Sequence, residues 1–353
     1  MFDSLLSLPT CWEQLQKTSK PIVIYGMGDG AEHILSYFEK FGITVSDFFA
    51  SDAFVRGHSF HGIRVKKFSE IKELYSDFVI VTAFAVQDSA TIEYICSLNN
   101  EYELYAPDVP VAGETLFDRD FLQANKGNFL QALSLLSDEE SRETYYNLIA
   151  YKLTGKIDYL MKTESQREQV LAAFFPMHDN EAYFDLGAYT GDTIEEFLKM
   201  SNNSFSQIYA LEPDAKNYKK MISRLERLGV YPNENVHLIN KAVWDSDKTL
   251  FFSAKAGRNS TVSSQGIETP ATCVDSVLGK NKVSYIKMDV EGSEKEALIG
   301  AFNTIRTSRP KMLISAYHRS EDLFALPLLV NKICAGYKFY LRRFQYIPAW
   351  EII

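Results

Sequence analysis

Twice in this chain a short apolar strand runs into a glycine-bearing turn and then directly into a helix: IVIYGMGDGA at 22–31 and AYFDLGAYTGDTIEEF at 182–197. A strand that feeds a helix in this way returns as a parallel neighbour, because a crossover helix is what parallel strands need to be joined. The surrounding pattern repeats the move. Residues 21–113 alternate strand candidates at 22–25, 44–50 and 78–81 with helical patterns at 31–41 and 70–75. From 182 onward the strand candidates are 182–185, 207–211, 236–239, 249–252, 283–288, 311–316 and 338–341, and the helical patterns fall at 192–200, 215–228, 293–302 and 322–332. The closing YIPAWEII has the pattern of an antiparallel edge strand, with Pro348 counting against it.

Between the two alternating regions, FLQALSLLSDEESRETYYNLIAYKL carries apolar residues at helical spacing and no strand signal. SDEE at 137–140 has the form of an N-cap with acids in the first helical turn. The expectation is an α/β protein: two doubly wound Rossmann-like domains joined by a helical connector, divided as 1–113, 114–178 and 179–353. A length of 353 residues fits that count at ~100–200 residues per domain.

Charge and cysteine usage narrow the function. A net charge of −9 makes nucleic acid a poor partner, since an acidic surface repels phosphate. Cys11, Cys96, Cys273 and Cys334 lie far apart with no metal-type spacing, as reduced thiols in a cytosolic protein do. The start MFDSLLSLPTCW lacks the positive charge of a signal peptide. The longest apolar run, near 78–86, is about half of what a bilayer requires. A cytoplasmic protein without a membrane span is expected, and homo-oligomerisation is left open.

Ligands of open α/β sheets bind at the carboxyl ends of the strands, so the residues just after each strand matter most. In the second turn these are Asp185, Gly187, Tyr189 and Gly191, with Asp192 and Thr193 opening the helix. One βαβ step later, LEPD places Glu212 where a carboxylate accepts both hydroxyls of a ribose, with Asp214 behind it. That logic serves both NAD and S-adenosylmethionine. The dinucleotide fingerprint is G-x-G-x-x-G/A directly after the strand, whereas this turn is D-x-G-x-x-x-G with an acid leading. A carboxylate there suits a cationic amino-acid ligand better than a pyrophosphate, which it would repel. DVEGSE adds Asp289, Glu291 and Glu294 to the same rim, again favouring a sulfonium. The acids also read as caps of the next helix. A D-x-E pair can hold a divalent metal, but no further ligand is spaced to complete a shell, and no metal is expected.

FDLGAYTGDT, IYALEPD, NKAVWDSD, TPATCVDSVLG, IKMDVEGSEKEALIGA and RPKMLISAYHRSEDL occur in this order. Together they resemble the FkbM family of S-adenosylmethionine-dependent methyltransferases over about 180–330, with the KMDVEGSE block the most specific. The resemblance implies a class I methyltransferase fold in the C-terminal domain and S-adenosylmethionine as cofactor. It places the methionine part at Asp185, Gly187 and Gly191, the ribose at Glu212, and the adenine near Ala242 and Val243. It also implies O-methylation of a small molecule, sugar or glycan precursor, the acceptor itself being left open.

A hydroxyl is a poor nucleophile, so a base within hydrogen-bond reach helps. His318, just after a strand candidate, is the first candidate, with an unperturbed pKa near ~6.5; Asp289 is the second and also faces the cofactor. Arg258 and Ser260, in the polar loop GRNSTVSS, are candidates for acceptor hydroxyls, together with Glu291. Arg319, Arg342 and Arg343 are candidates for an anionic acceptor. Each of these also reads as an ordinary structural residue or a solvated face.

The first turn satisfies G-x-G-x-x-A, with Gly26, Gly28 and Gly30, and Asp52 follows at about the distance of a ribose-binding acid. No second dinucleotide half follows it. A scaffold or recognition role ranks first, nucleotide or nucleotide-sugar binding second and NAD redox chemistry third. An oxidoreductase using that turn, and a binding module without catalysis, are the alternatives to the methyltransferase.

Overall fold

A computed structural model describes residues 2–252, 262–263, 266–349 and 352–353. The chain divides into two compact units. Unit 1 comprises 1–110, 115–166 and 340–352; unit 2 comprises 111–114, 167–339 and Ile353.

Unit 1 holds β1 (Ile22–Tyr25), β2 (Asp47–Phe49), β3 (Ser59–Phe60), β4 (Ile63–Arg64), β5 (Val79–Thr82) and β6 (Glu103–Tyr105). Four of these form a parallel sheet in the order β2-β1-β5-β6, and β3 with β4 makes a small hairpin. Every residue of β1 and β5 is buried, which is why both read as unbroken apolar runs. Helices Arg119–Ala124, Lys126–Leu135, Glu139–Thr154 and Asp158–Met161 follow. Asp138 caps the longest of them by accepting from the Ser141 amide at 2.8 Å, and Glu139 and Glu140 occupy its first turn, as SDEE foretells.

The segment after 336 departs from the sequence reading. Residues 338–341 form no strand, and the described closing residues make isolated bridges, among them Ile347 with Val86 and Arg343 with Glu164 and Ile352. Its arginines are anchors inside unit 1 and not recognition groups. Arg342 is 4% exposed and bonded to Asp138 at 2.6 Å. Arg343, fully buried, donates to the Leu160 carbonyl at 2.7 Å and pairs with Glu164. A buried guanidinium is retained only where acceptors surround it.

Unit 2 holds β7 (Ala182–Leu186), β8 (Gln207–Leu211), β9 (Val236–Ile239), β10 (Ala242–Val243), β11 (Lys248–Phe252), β12 (Val262–Ser263), β13 (Ile267–Thr272), β14 (Tyr285–Met288) and β15 (Lys311–Ile314). Its main sheet is parallel throughout, in the order β15-β14-β7-β8-β9. A second sheet has the order β10-β13-β11-β12. The helical pattern at 293–302 resolves into two helices, Glu294–Gly300 and Phe302–Ser308. Tyr183, Phe197 and Tyr285 build an aromatic core against β7 and β14, with the Tyr183 and Phe197 rings stacked at 4.4 Å. Each such buried ring contributes roughly 1.5–3 kcal/mol by its removal from water. Among the described residues no helix is long and apolar enough to cross a membrane.

The strand order fixes where a ligand belongs. Chain progression runs from β7 outward through β8 to β9, and then resumes on the other side of β7 with β14 and β15. The loops after β7 and β14 therefore leave the sheet in opposite directions and open a crevice at the carboxyl ends.

Candidate active site

The floor of the crevice is set by backbone proximity. Gly187, just past β7, has φ +82°, and a Cβ placed there would lie 1.9 Å from the Asp289 carbonyl oxygen after β14. Only glycine permits both the left-handed backbone and this approach. Beneath it, Asp185 is fully buried. The Thr193 hydroxyl donates to Asp185 Oδ2, and Lys287 Nζ lies 3.4 Å from Oδ1 while donating to the Gly187 carbonyl at 2.9 Å. Burial raises the Asp185 pKa, with Lys287 and Thr193 opposing it. Burial also acts to lower that of Lys287, but Asp185, Asp289 and Asp192 outweigh it and hold the ammonium charged. Asp185 thus ties the turn, the helix start and β14 together, and presents no open face. Lys287 escaped sequence reading; a lysine inside the apolar run SYIKM was the signal.

Glu212, after β8, is 6% exposed. Its Oε2 accepts from the Tyr189 amide at 2.8 Å and its Oε1 from the Asp214 amide at 2.9 Å. Burial pushes its pKa up to about 7 against those two amides. Each oxygen of a carboxylate can accept twice, so capacity for two further donors remains. Tyr189 itself stands at φ +46° with its side chain 37% exposed at the crevice turn.

The opposite wall comes from the DVEGSE turn and the end of β15. Glu291 at φ +54° and Gly292 at φ +92° bend the chain back, so that three carboxylates converge on one imidazole. His318 is fully buried; Nδ1 lies 2.9 Å from Glu294 Oε1, and Nε2 lies 3.5 Å from both Asp289 Oδ1 and Glu291 Oε2. These are ion-pair contacts, since neither ring nitrogen has an aligned hydrogen-bond acceptor. Burial acts to lower the His318 pKa, but Glu294, Glu291 and Asp289 carry it well above the ordinary value. An imidazole so surrounded keeps its proton at neutral pH and is poorly suited to accept another group's. Asp289 is raised by burial but lowered more by Lys287 and His318, and stays ionised with its side chain 31% exposed. Tyr317, which the sequence did not single out, donates to Asp289 Oδ1 at 3.4 Å. The backbone of His318 is held by the Ala112 amide at 2.8 Å.

The remaining candidates separate. Gly191 is the helix N-cap at φ +79°, and Asp192 is exposed in the first turn. Asp214 caps helix Ala215–Arg227, accepting from the Lys216 and Asn217 amides. Ala242 and Val243 are buried in β10. Arg319 donates to the Gly292 carbonyl at 2.7 Å, bracing the acidic turn. Arg258 and Ser260 lie outside the described residues. In unit 1, a Cβ at Gly30 would lie 2.4 Å from the Ala83 carbonyl, so that glycine serves helix-to-sheet packing. Gly26 stands at φ +119° with Phe84 against it, while Gly28 caps helix Asp29–Phe41. Asp52 opens a short 3-10 turn, Asp52–Phe54, and lies 3.7 Å from Lys67.

A doubly wound unit with an acid-rimmed crevice at its switch point has the architecture of a Rossmann-like methyltransferase. Residues 185–339 match the family described as the methyltransferase FkbM domain. The structure of a methyltransferase FkbM from Methylobacillus flagellatus KT is similar at TM-score 0.75 and 19% identity, covering 99% of this chain and 96% of that one, which shows a shared fold. A precorrin-6y C5,15-methyltransferase from Geobacter metallireducens GS-15 (TM-score 0.28, 13% identity, 44% of this chain and 65% of that chain) and a SAM dependent methyltransferase from Aquifex aeolicus (0.29, 11%, 61% and 95%) are too distant to support any inference. No curated protein matches the chain.

Proposed function

We propose that unit 2 binds S-adenosylmethionine and transfers its methyl group to a hydroxyl of a small molecule, most naturally a sugar or glycan precursor. The observation that carries this reading is Glu212: a buried carboxylate at the end of the second strand, fixed by two backbone amides and retaining acceptor capacity for a ribose diol. The turn at Gly187–Gly191 faces the amino-acid end of the cofactor, and β10 with Ala242 and Val243 lies on the adenine side. Acids at 289, 291 and 294 favour a cationic sulfur and disfavour a pyrophosphate.

In the transfer, the acceptor oxygen attacks the methyl carbon in line. The carbon–sulfur bond breaks, its electron pair returns to sulfur and cancels the positive charge, and the hydroxyl proton leaves to a nearby acceptor or to water. Positioning does most of the work, up to ~7–11 kcal/mol in favourable cases. Asp289, ionised and half-exposed, is the group placed to accept the hydroxyl's hydrogen bond, and His318 fixes it from behind. Unit 1 serves as scaffold or recognition element in this reading. Binding of S-adenosylhomocysteine, with NADH as comparator, tests the cofactor assignment. Transfer of labelled methyl from S-adenosylmethionine to hydroxyl-bearing glycans tests the reaction; turnover of NADH with a sugar in place of methyl transfer would refute it.

A further inference from the structure

The meeting of Asp289, Glu294 and His318 is more than an acidic rim. One donor atom from each lies within 4.8 Å of the others. Bonds of roughly 2.0–2.3 Å to a shared cation put its donor atoms no more than about 4.6 Å apart, so a small side-chain adjustment brings all three onto one ion. Two features of the arrangement point the same way. His318 is fully buried, yet neither ring nitrogen has an aligned hydrogen-bond partner. Glu294 is 1% exposed, and its Oε2 has no partner, while Oε1 accepts from the Val290 amide at 3.0 Å. Buried polar atoms are ordinarily satisfied, and leaving one bare costs ~1–3 kcal/mol. Here Glu294 Oε2 is left bare, and the His318 ring nitrogens beside it are met only by charge contacts of 2.9–3.5 Å.

We propose that Asp289, Glu294 and His318 form a binding site for one divalent cation of the Mn2+ class, with Glu291 at its mouth. One imidazole nitrogen with two carboxylates suits an ion that accepts mixed nitrogen and oxygen donors; an all-oxygen Ca2+ cage and a thiolate-rich zinc site are both a worse match. Three carboxylates facing one imidazole leave excess negative charge for the ion to balance. Arg319 donates to the Gly292 carbonyl, and Lys287, which offsets part of the Asp289 charge, donates to Gly187 and lies against Asp185. The ion displaces the imidazole proton as it binds, as metal ligation requires. The Asp289 and Glu291 side chains are 31% and 39% exposed, so the ion keeps an open side toward solvent. An acceptor hydroxyl bound there would be polarised toward its alkoxide. That consequence rests on the methyltransferase reading, whereas the binding of the ion does not.

The test is titration of the full-length, chelator-treated protein with Mn2+, followed by the electron paramagnetic resonance signal of the free ion. One ion per chain should bind with a dissociation constant below about 100 μM. Glu294→Gln and Asp289→Asn should each weaken it at least tenfold, in line with ~10–100-fold losses for lesser perturbations around metal sites. Asp289 is half-exposed, so Asp289→Asn keeps its fold even where Glu294→Gln fails, and a thermal melt checks both. A wild-type protein that leaves the free Mn2+ signal unchanged overturns the proposal, as does undiminished binding by Asp289→Asn. S-adenosylhomocysteine titration of the same sample reports on the cofactor reading separately.

Discussion

In the proposed reading, Glu212 makes cofactor affinity depend on pH in a way that can be calculated. Burial lifts its pKa to about 7, opposed by the Asp214 and Tyr189 amides, so the free protein carries a half-ionised carboxyl near neutrality. Two ribose hydroxyls donate best to the ionised form. The binding-competent fraction is then about one half at pH 7 and about one hundredth at pH 5, and apparent affinity falls in proportion to that fraction. S-adenosylhomocysteine should therefore bind about fifty-fold more weakly at pH 5 than at pH 7. The ligand's own amino group, with a pKa near ~7.7–8.0, stays largely protonated across that range. Calorimetry at half-unit intervals reads the curve. Glu212→Gln should bind more weakly at pH 7 and show almost no slope. The same shift acts on folding: the unfolded chain ionises this carboxyl near the ordinary 4.5, the folded chain only near 7. Its contribution is thus fully present below the lower value and is lost as pH rises to the upper one, by about 3 kcal/mol. A flat wild-type binding curve, or an equal slope in Glu212→Gln, would refute the reasoning.

Two further outcomes follow from the geometry. Gly187→Ala meets the Asp289 carbonyl at 1.9 Å in a left-handed backbone, and should lose at least ~3 kcal/mol in denaturant unfolding; Gly229→Ala, at φ +69° in open space, should lose only ~1 kcal/mol. Asp289→Asn should lower methyl transfer at least tenfold while S-adenosylhomocysteine affinity stays within about twofold, a split that equal losses in both quantities would contradict.

How much of this was legible in the chain depended on whether one segment carried its own signal. The strands Gln207–Leu211 and Val236–Ile239 were readable because short, mostly apolar stretches ended at polar turns. Glu103–Tyr105 was not, since three residues beginning with Glu show no period. Ile267–Thr272 hid for a different reason: IETPAT is polar and holds Pro270, which argues against a strand, yet it pairs antiparallel with Lys248–Phe252. Residues 338–341, KFYL, have the aromatic and apolar content of a strand, but their basic neighbours at 342 and 343 answer to acids at 138 and 164, which no local pattern reveals. In the crevice, each acid could be placed at a strand end by topology alone. Their convergence on His318 could not, because it depends on the left-handed bend at Glu291 and Gly292. Nor could the burial that turns a familiar candidate base into a charged, enclosed group.

The central claim is that the crevice of unit 2 takes S-adenosylmethionine and its demethylated product. Equilibrium titration of the whole protein at pH 7 with S-adenosylhomocysteine, with NADH in parallel, tests it most directly. One S-adenosylhomocysteine per chain at micromolar affinity, with loss of binding in Glu212→Ala, is the expected result. Absence of that binding, or its full retention in Glu212→Ala, would contradict the account.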